Sequence, residues 1–187
     1  MQTLRSFIAL EISPEIQKEL GQIQDQLGKT GADVKWVKTT GIHLTLKFLG
    51  DVSLELLEEI KKVTKQLSEE SKSFEMELSH LGAFPTISHP RVIWVGIEKG
   101  KEQAQQMAKI LEERLQNFGF LPERRPFKAH LTLGRVRSAR NRDQLKKPLE
   151  SISVTKKTMR IEKLTLFKST LTPQGALYEP LQEAKLA

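Results

Sequence analysis

The chain has 187 residues, 38% of them hydrophobic, and carries a formal net charge of +7. That is enough apolar material for one core, shared by a single domain or by two small halves. It contains no cysteine, which excludes disulfides and thiolate metal sites, and no apolar run approaches the ~20 residues of a membrane span.

In chain order, the N-terminal residues Met1-Gln2-Thr3-Leu4-Arg5 lead directly into apolar residues 7–10, a short buried strand. The long apolar stretch and cleavage site of a secretory signal are missing, so a cytoplasmic location is expected. Ser13-Pro14-Glu15 is a helix start, with an N-cap hydroxyl, a first-turn proline and an early acid. Ile16, Leu20, Ile23 and Leu27 keep helical spacing as far as a stop at Gly28. Residues 34–37 and 42–49 are predicted strands. Ser53 opens a second helix with Leu56, Leu57, Ile60, Val63 and Leu67 on one face. Residues 74–81 alternate like a half-exposed strand, and a turn at Ser88-His89-Pro90 precedes a strand over 92–97. Ala104, Met107, Ala108, Leu111 and Leu115 mark a third helix ending near Gly119. Strands follow over 128–136, 159–167 and 176–181. Alternating strands mixed irregularly with helices predict an α+β fold with antiparallel sheets rather than a doubly wound one. No Gly-rich phosphate loop is present to suggest P-loop chemistry.

Two of the chain's four histidines occur in one tetrapeptide, His43-Leu44-Thr45-Leu46 and His130-Leu131-Thr132-Leu133. In a strand, alternate side chains share a face. The leucines therefore point to a core, while His43 with Thr45, and His130 with Thr132, face a surface or cleft. One copy alone would be an ordinary amphipathic strand. Two copies built on a scarce residue point to a pair of imidazoles, and histidine is the side chain that gives or takes a proton near neutral pH. His80 and His89 lack such a context and are expected to be structural or exposed. No carboxylate stands in metal-ligand spacing with the histidines. Between residues 122 and 142 lie Arg124, Arg125, Lys128, Arg135, Arg137, Arg140 and Arg142, against the single acid Glu123. Positive charge concentrated around His130 predicts a polyanionic partner.

With these motifs the chain resembles the 2H phosphoesterase superfamily. Within it, it is most similar to the RNA 2′,3′-cyclic phosphodiesterases, historically called 2′-5′ RNA ligases. The resemblance extends through Arg5-Ser6-Phe7-Ile8-Ala9-Leu10, Trp36-Val37, Phe48-Leu49-Gly50, Gly82-Ala83-Phe84-Pro85, Val92-Ile93-Trp94-Val95-Gly96, Phe127, Gly134-Arg135, Ser169-Thr170-Leu171, Gly175 and Tyr178. Ala129 stands where the family often has proline, and Gly41-Ile42 where it often has Asn-Leu. The resemblance implies one bilobal domain over residues 1–187, with two antiparallel sheets and outer helices related by a pseudo-twofold around a central cleft.

It also implies hydrolysis of RNA 2′,3′-cyclic phosphate ends to 2′-phosphates without metal or cofactor. His43 would be the proton donor and His130 the proton acceptor. Thr45, Thr132 and Arg135 would bind the phosphate. Strict alternation would turn Arg135 away from the cleft, but Gly134 permits a bulge that re-aims it. Phe7, Phe48 and Tyr178 are candidates to stack a base, and Trp36 and Trp94 are expected in the core. The partner is RNA, tRNA fragments included, and a monomer away from membranes is the default. The alternative activity is ligation of a 2′,3′-cyclic phosphate to a 5′-hydroxyl end, which uses the same histidines in reverse.

Overall fold

The computed structural model describes residues 2–173 and 175–187. Strand β1 (Thr3–Glu11) contributes five consecutive buried residues, Ser6 to Leu10, so both of its faces are covered. Helix α1 (Pro14–Gly28) follows, and the Ser13 hydroxyl accepts the Ile16 N–H at its start. After the short β2 (Val34–Trp36) comes β3 (His43–Ser53), which carries the first motif. Ser53 then caps α2 (Leu54–Glu70) through the Leu56 N–H. Strands β4 (Phe74–Thr86) and β5 (His89–Ile97) form a hairpin. Helix α3 (Lys101–Gln116) starts at Gly100, whose φ of 83° and closeness to the Glu75 carbonyl leave no room for a Cβ. The second motif opens β6 (His130–Val136). A 3-10 turn (Arg142–Leu145), α4 (Lys146–Ser151), β7 (Thr158–Ile161), β8 (Lys163–Thr172) and β9 (Gly175–Lys185) complete the chain.

The strands form two sheets, ordered β3-β1-β8-β9 and β2-β6-β5-β4-β7, with every pairing antiparallel. Each motif strand pairs with the strand that precedes it across a helix, β3 with β1 and β6 with β5. The helices are exchanged between lobes. Helix α1 leaves the first sheet and packs behind the second, where Gln24 meets β6 and the helix lies beside α4. Helix α3 leaves the second sheet and packs against β3 and α2 behind the first. The motif leucines Leu44, Leu131 and Leu133 are fully buried and Leu46 nearly so. Each contributes about 1.5–3 kcal/mol by leaving water. Strands β3 and β6 lie against each other where the lobes meet.

The α+β class and the antiparallel sheets agree with the sequence. Several boundaries shift by a few residues, β3 running to Ser53 and β9 to Lys185 among them, and three differences bear on the architecture. The segment 159–167 is not one strand: Glu162 separates β7, in the second sheet, from β8, in the first. The β4–β5 turn falls at Ile87-Ser88, so His89 and Pro90 already belong to β5. Strand β4 continues through Gly82-Ala83-Phe84-Pro85 to Thr86, carrying Phe84 to the second motif. Among the described residues, no helix is long and apolar enough to cross a membrane.

Candidate active site

Both motif strands are interrupted at the same place. In the β1–β3 ladder Ala9 faces Thr45 and Ile8 faces Lys47, so Leu46 has no partner. In the β5–β6 ladder Trp94 faces Thr132 and Ile93 faces Gly134, so Leu133 has none. Each bulge takes the last residue of a His-Leu-Thr-Leu and shifts the alternation by one. The residue five places after each histidine, which strict alternation would turn away, therefore joins the histidine's face. Those residues are Phe48 and Arg135, both exposed and both lining the cleft. Gly134 is needed at this point, because a Cβ there would meet Val34 at 2.6 Å and Trp36 at 2.8 Å.

His43, Thr45, Phe48, His130, Thr132, Arg135 and Tyr178 line one cleft of about 560 Å³. Lys47, Phe84, Glu123, Arg125, Phe127 and Lys128 are among the other residues that line it. A hollow of similar size beside Glu11, Met159 and Lys163 contains no imidazole, and its Lys163 is paired with Glu11 and Glu183.

The two imidazoles are held alike. His43 Nδ1–H donates to the Gly41 carbonyl at 2.8 Å, and His130 Nδ1–H to the Lys128 carbonyl at 2.6 Å. A carbonyl can only accept, which fixes the tautomer and leaves Nε2 as the nitrogen available to a substrate. Their aromatic seats differ. His43 stacks on Phe7 with centroids 4.6 Å apart and meets the edge of Tyr178 at 5.0 Å. His130 stands edge-on to Phe84 at 5.1 Å, near Trp94. The Lys128 ammonium lies over Trp94, 4.3 Å from the ring centroid, and over Phe84.

Burial disfavours an imidazolium. It pushes His43 down to about 4, opposed by the Gly41 hydrogen bond and by Glu11. Burial also lowers His130, opposed by the Lys128 carbonyl and reinforced by the charges of Lys128 and Arg135. Burial raises the Tyr178 phenol.

The basic segment divides. Arg125, Lys128 and Arg135 line the cleft, while Arg124 lines a separate hollow behind residues 123–127. Arg137 is committed to Asp33, with Nη2 2.6 Å and Nε 2.9 Å from its Oδ1. Arg137 is thus a cation paired with an acid elsewhere in the fold, against the expectation of a free polyanion contact. Of the three aromatic candidates, Phe7 is buried beneath His43, which leaves exposed Phe48 and half-buried Tyr178. Trp94 is buried and Trp36 partly so; His89 is exposed, as is His80, which leans on Trp94. Sequence reasoning missed Lys47, Phe84 and the role of Lys128. The available signals were Lys47, a charge directly after the first motif, and Lys128, already part of the basic cluster.

A model of the family described as LigT like Phosphoesterase matches residues 10–94 and, a second time, residues 95–178, one motif in each match. The chain belongs to this family. It is 33% identical over 184 residues to the RNA 2′,3′-cyclic phosphodiesterase of Methanothermobacter thermautotrophicus, covering 98% of this chain and 99% of the relative. It is 36% identical over 169 residues to the protein of the same name from Aeropyrum pernix, covering 90% and 95%. The crystal structure of E. coli LigT in apo form superposes with a TM-score of 0.78 at 24% identity, covering 100% of this chain and 99% of that one. That likeness establishes the shared fold of this LigT-like phosphoesterase. The tandem match agrees with the paired bulges in dividing the chain into two related halves.

Proposed function

We infer that this protein is an RNA 2′,3′-cyclic phosphodiesterase, a hydrolase that opens the cyclic phosphate to a 2′-phosphate. The observation that carries the reading is the pair of imidazoles, each on a bulged strand, each fixed through Nδ1, both lining one cleft. The full-length relatives of the same name support it. Opening the ring requires a proton taken from water on one side of phosphorus and a proton given to the departing 3′ oxygen on the other. His130 takes the first and His43 gives the second. The assignment of these two roles follows the family alone; burial disfavours the imidazolium form of both rings. Thr45 and Thr132 donate their hydroxyls to the non-bridging oxygens, and the Arg135 guanidinium balances the charge that gathers there. Arg125 and Lys128 meet the RNA strand leading to the reactive end, so RNA ends of many origins, tRNA fragments among them, fit the same chemistry.

The deciding experiment incubates the protein with an RNA bearing a 2′,3′-cyclic end and locates the product's phosphate. A 2′-phosphate is expected. An unchanged end, or a 3′-phosphate, would overturn the reading. Adding an RNA with a 5′-hydroxyl end to the same reaction tests for joining, and hydrolysis is expected to predominate.

A further inference from the structure

Each motif strand is tied to the chain segment that leads into the other motif's histidine. The carbonyl of Leu133, the bulge residue of β6, accepts the Val37 N–H at 2.8 Å and the Gln24 Nε2 donor at 2.9 Å. The second hydrogen of the same amide goes to the Val37 carbonyl at 2.7 Å. Gln24 is buried, and both of its donors are used in clamping Val37 to the second lobe. Four residues beyond Val37 is Gly41, whose carbonyl orients His43. One helical turn before Gln24, Gly21 brings the same face of α1 close to the Thr39 methyl.

The opposite tie starts beside the other bulge. Lys47 immediately follows Leu46, and its side chain is only 4% exposed. Its ammonium donates to the Leu121 carbonyl at 3.1 Å and to Glu112 of α3 at 3.4 Å, with Glu123 at 3.7 Å. The Glu112 carboxylate also accepts the Glu123 N–H. The segment held in this way, 120–129, has no helix or strand and includes Lys128, whose carbonyl orients His130. It has hollows on both sides, the cleft and a space of about 490 Å³, and besides this cluster it is anchored by Phe120, Phe127 and buried Ala129 against the core and by Lys128 over Trp94.

We propose that Gln24 and Lys47 are positioning residues, two reciprocal cross-lobe tethers that set the spacing and orientation of His43 relative to His130. Neither tether takes a proton or binds the phosphate. Lys47 holds the approach to His130 from the strand that carries His43, and Gln24, on α1, holds the approach to His43 against the bulge of the strand that carries His130. The proposal rests on the reading that the two imidazoles act on one phosphate. Misplacement of reacting groups by about 1 Å costs on the order of 10²-fold in rate.

The test uses the full chain, a 2′,3′-cyclic mononucleotide and the variants Gln24→Met, Lys47→Met, Lys47→Arg and Glu112→Ala, assayed well below each variant's Tm. The small substrate makes few contacts with segment 120–129, so KM is expected to change by less than about threefold while kcat falls at least tenfold in both methionine variants. Glu112→Ala should reproduce part of the Lys47→Met loss from a half-exposed position that endangers folding less. Lys47→Arg should recover much of it, because a guanidinium can reach the same oxygens. Wild-type kcat in folded Gln24→Met and Lys47→Met, whatever their Tm, would overturn the tethers and leave only a structural role. If one methionine variant fails to fold, the same criterion applies to the other tether through its own variants. No turnover by the wild-type protein would instead overturn the hydrolase reading itself.

Discussion

At the scale of single residues, the two imidazoles are neutral at pH 7 in the free protein, His43 because burial holds it at about 4 and His130 because burial lowers it as well. The working pair needs one proton between them. A lowered imidazole pKa means that this proton is lost at a lower pH, so kcat/KM, which reports the free protein, is expected to peak on the acid side of 6.5. The anionic phosphate favours imidazolium once bound. The kcat profile, which reports the complex, should therefore be displaced towards neutrality. A kcat/KM maximum above pH 7 would contradict this. His43→Ala and His130→Ala should each lower turnover by ~10²-fold or more. In the proposed scheme imidazoles supply both proton transfers, so exhaustive EDTA treatment should leave the rate unchanged; a loss restored by a divalent ion would refute the scheme.

Arg135 and Phe48 occupy matching positions after the two bulges, and the proposed function gives the phosphate to one and the base to the other. Arg135→Gln is expected to cost on the order of 10²-fold in kcat on both a cyclic mononucleotide and a long RNA, since its proposed place is at the reacting phosphate. Phe48→Ala should instead raise KM roughly tenfold, the equivalent of about 1.4 kcal/mol of base stacking. Arg125→Gln should weaken binding of long RNA and flatten its salt dependence, while Arg137→Gln, whose side chain is committed to Asp33, should do neither. Equal losses from Arg125→Gln and Arg137→Gln would remove the distinction between a cleft cation and a paired one. Sequence alone could not separate these arginines. Local charge shows clustering, whereas the partner of Arg137 lies over a hundred residues away.

At the scale of elements, the motif strands show why pattern reading succeeded and where it stopped. Apolar alternation identified the buried leucines, because a strand face is a local property. The five residues named from the motifs, His43, Thr45, His130, Thr132 and Arg135, all line the cleft. Arg135 could be placed there only through Gly134 and a bulge. The change of sheet at Glu162 left only a slip of phase in the sequence, with Met159 and Ile161 on one strand face and Leu164 and Leu166 on the other. Only the neighbouring strands decide that β7 pairs β4 and β8 pairs β1. The bulge of β6 also yields a stability test. Gly134→Ala would force a methyl into Val34 and Trp36 and should cost about 1–3 kcal/mol as overpacking. Thermal unfolding would register this as a lower Tm; an unchanged Tm would mean that β2 can move aside freely.

At the scale of the whole molecule, each lobe's sheet is backed by a helix that follows a strand of the other lobe in sequence. Loss of either sheet exposes the apolar face of a helix belonging to both. Unfolding in denaturant is therefore expected to follow a single transition, coincident by far-ultraviolet circular dichroism and by tryptophan fluorescence. Trp36 and Trp94 both lie in the second sheet, so a fluorescence transition separated from the circular dichroism transition would show the lobes melting independently. The exchange of helices has a chemical corollary. Built from two identical half-length chains, the same architecture would be a dimer that trades helices, with its cleft on the symmetry axis and its two imidazoles indistinguishable. A ring-opening hydrolysis calls for unlike partners, one giving a proton while the other takes one. Joining the halves in one polypeptide frees the two sides to diverge. Phe7 and Tyr178 surround one ring and Phe84 with Trp94 the other, while Phe48 stands opposite Arg135. Covalent continuity is what allows a symmetric scaffold to hold an asymmetric pair.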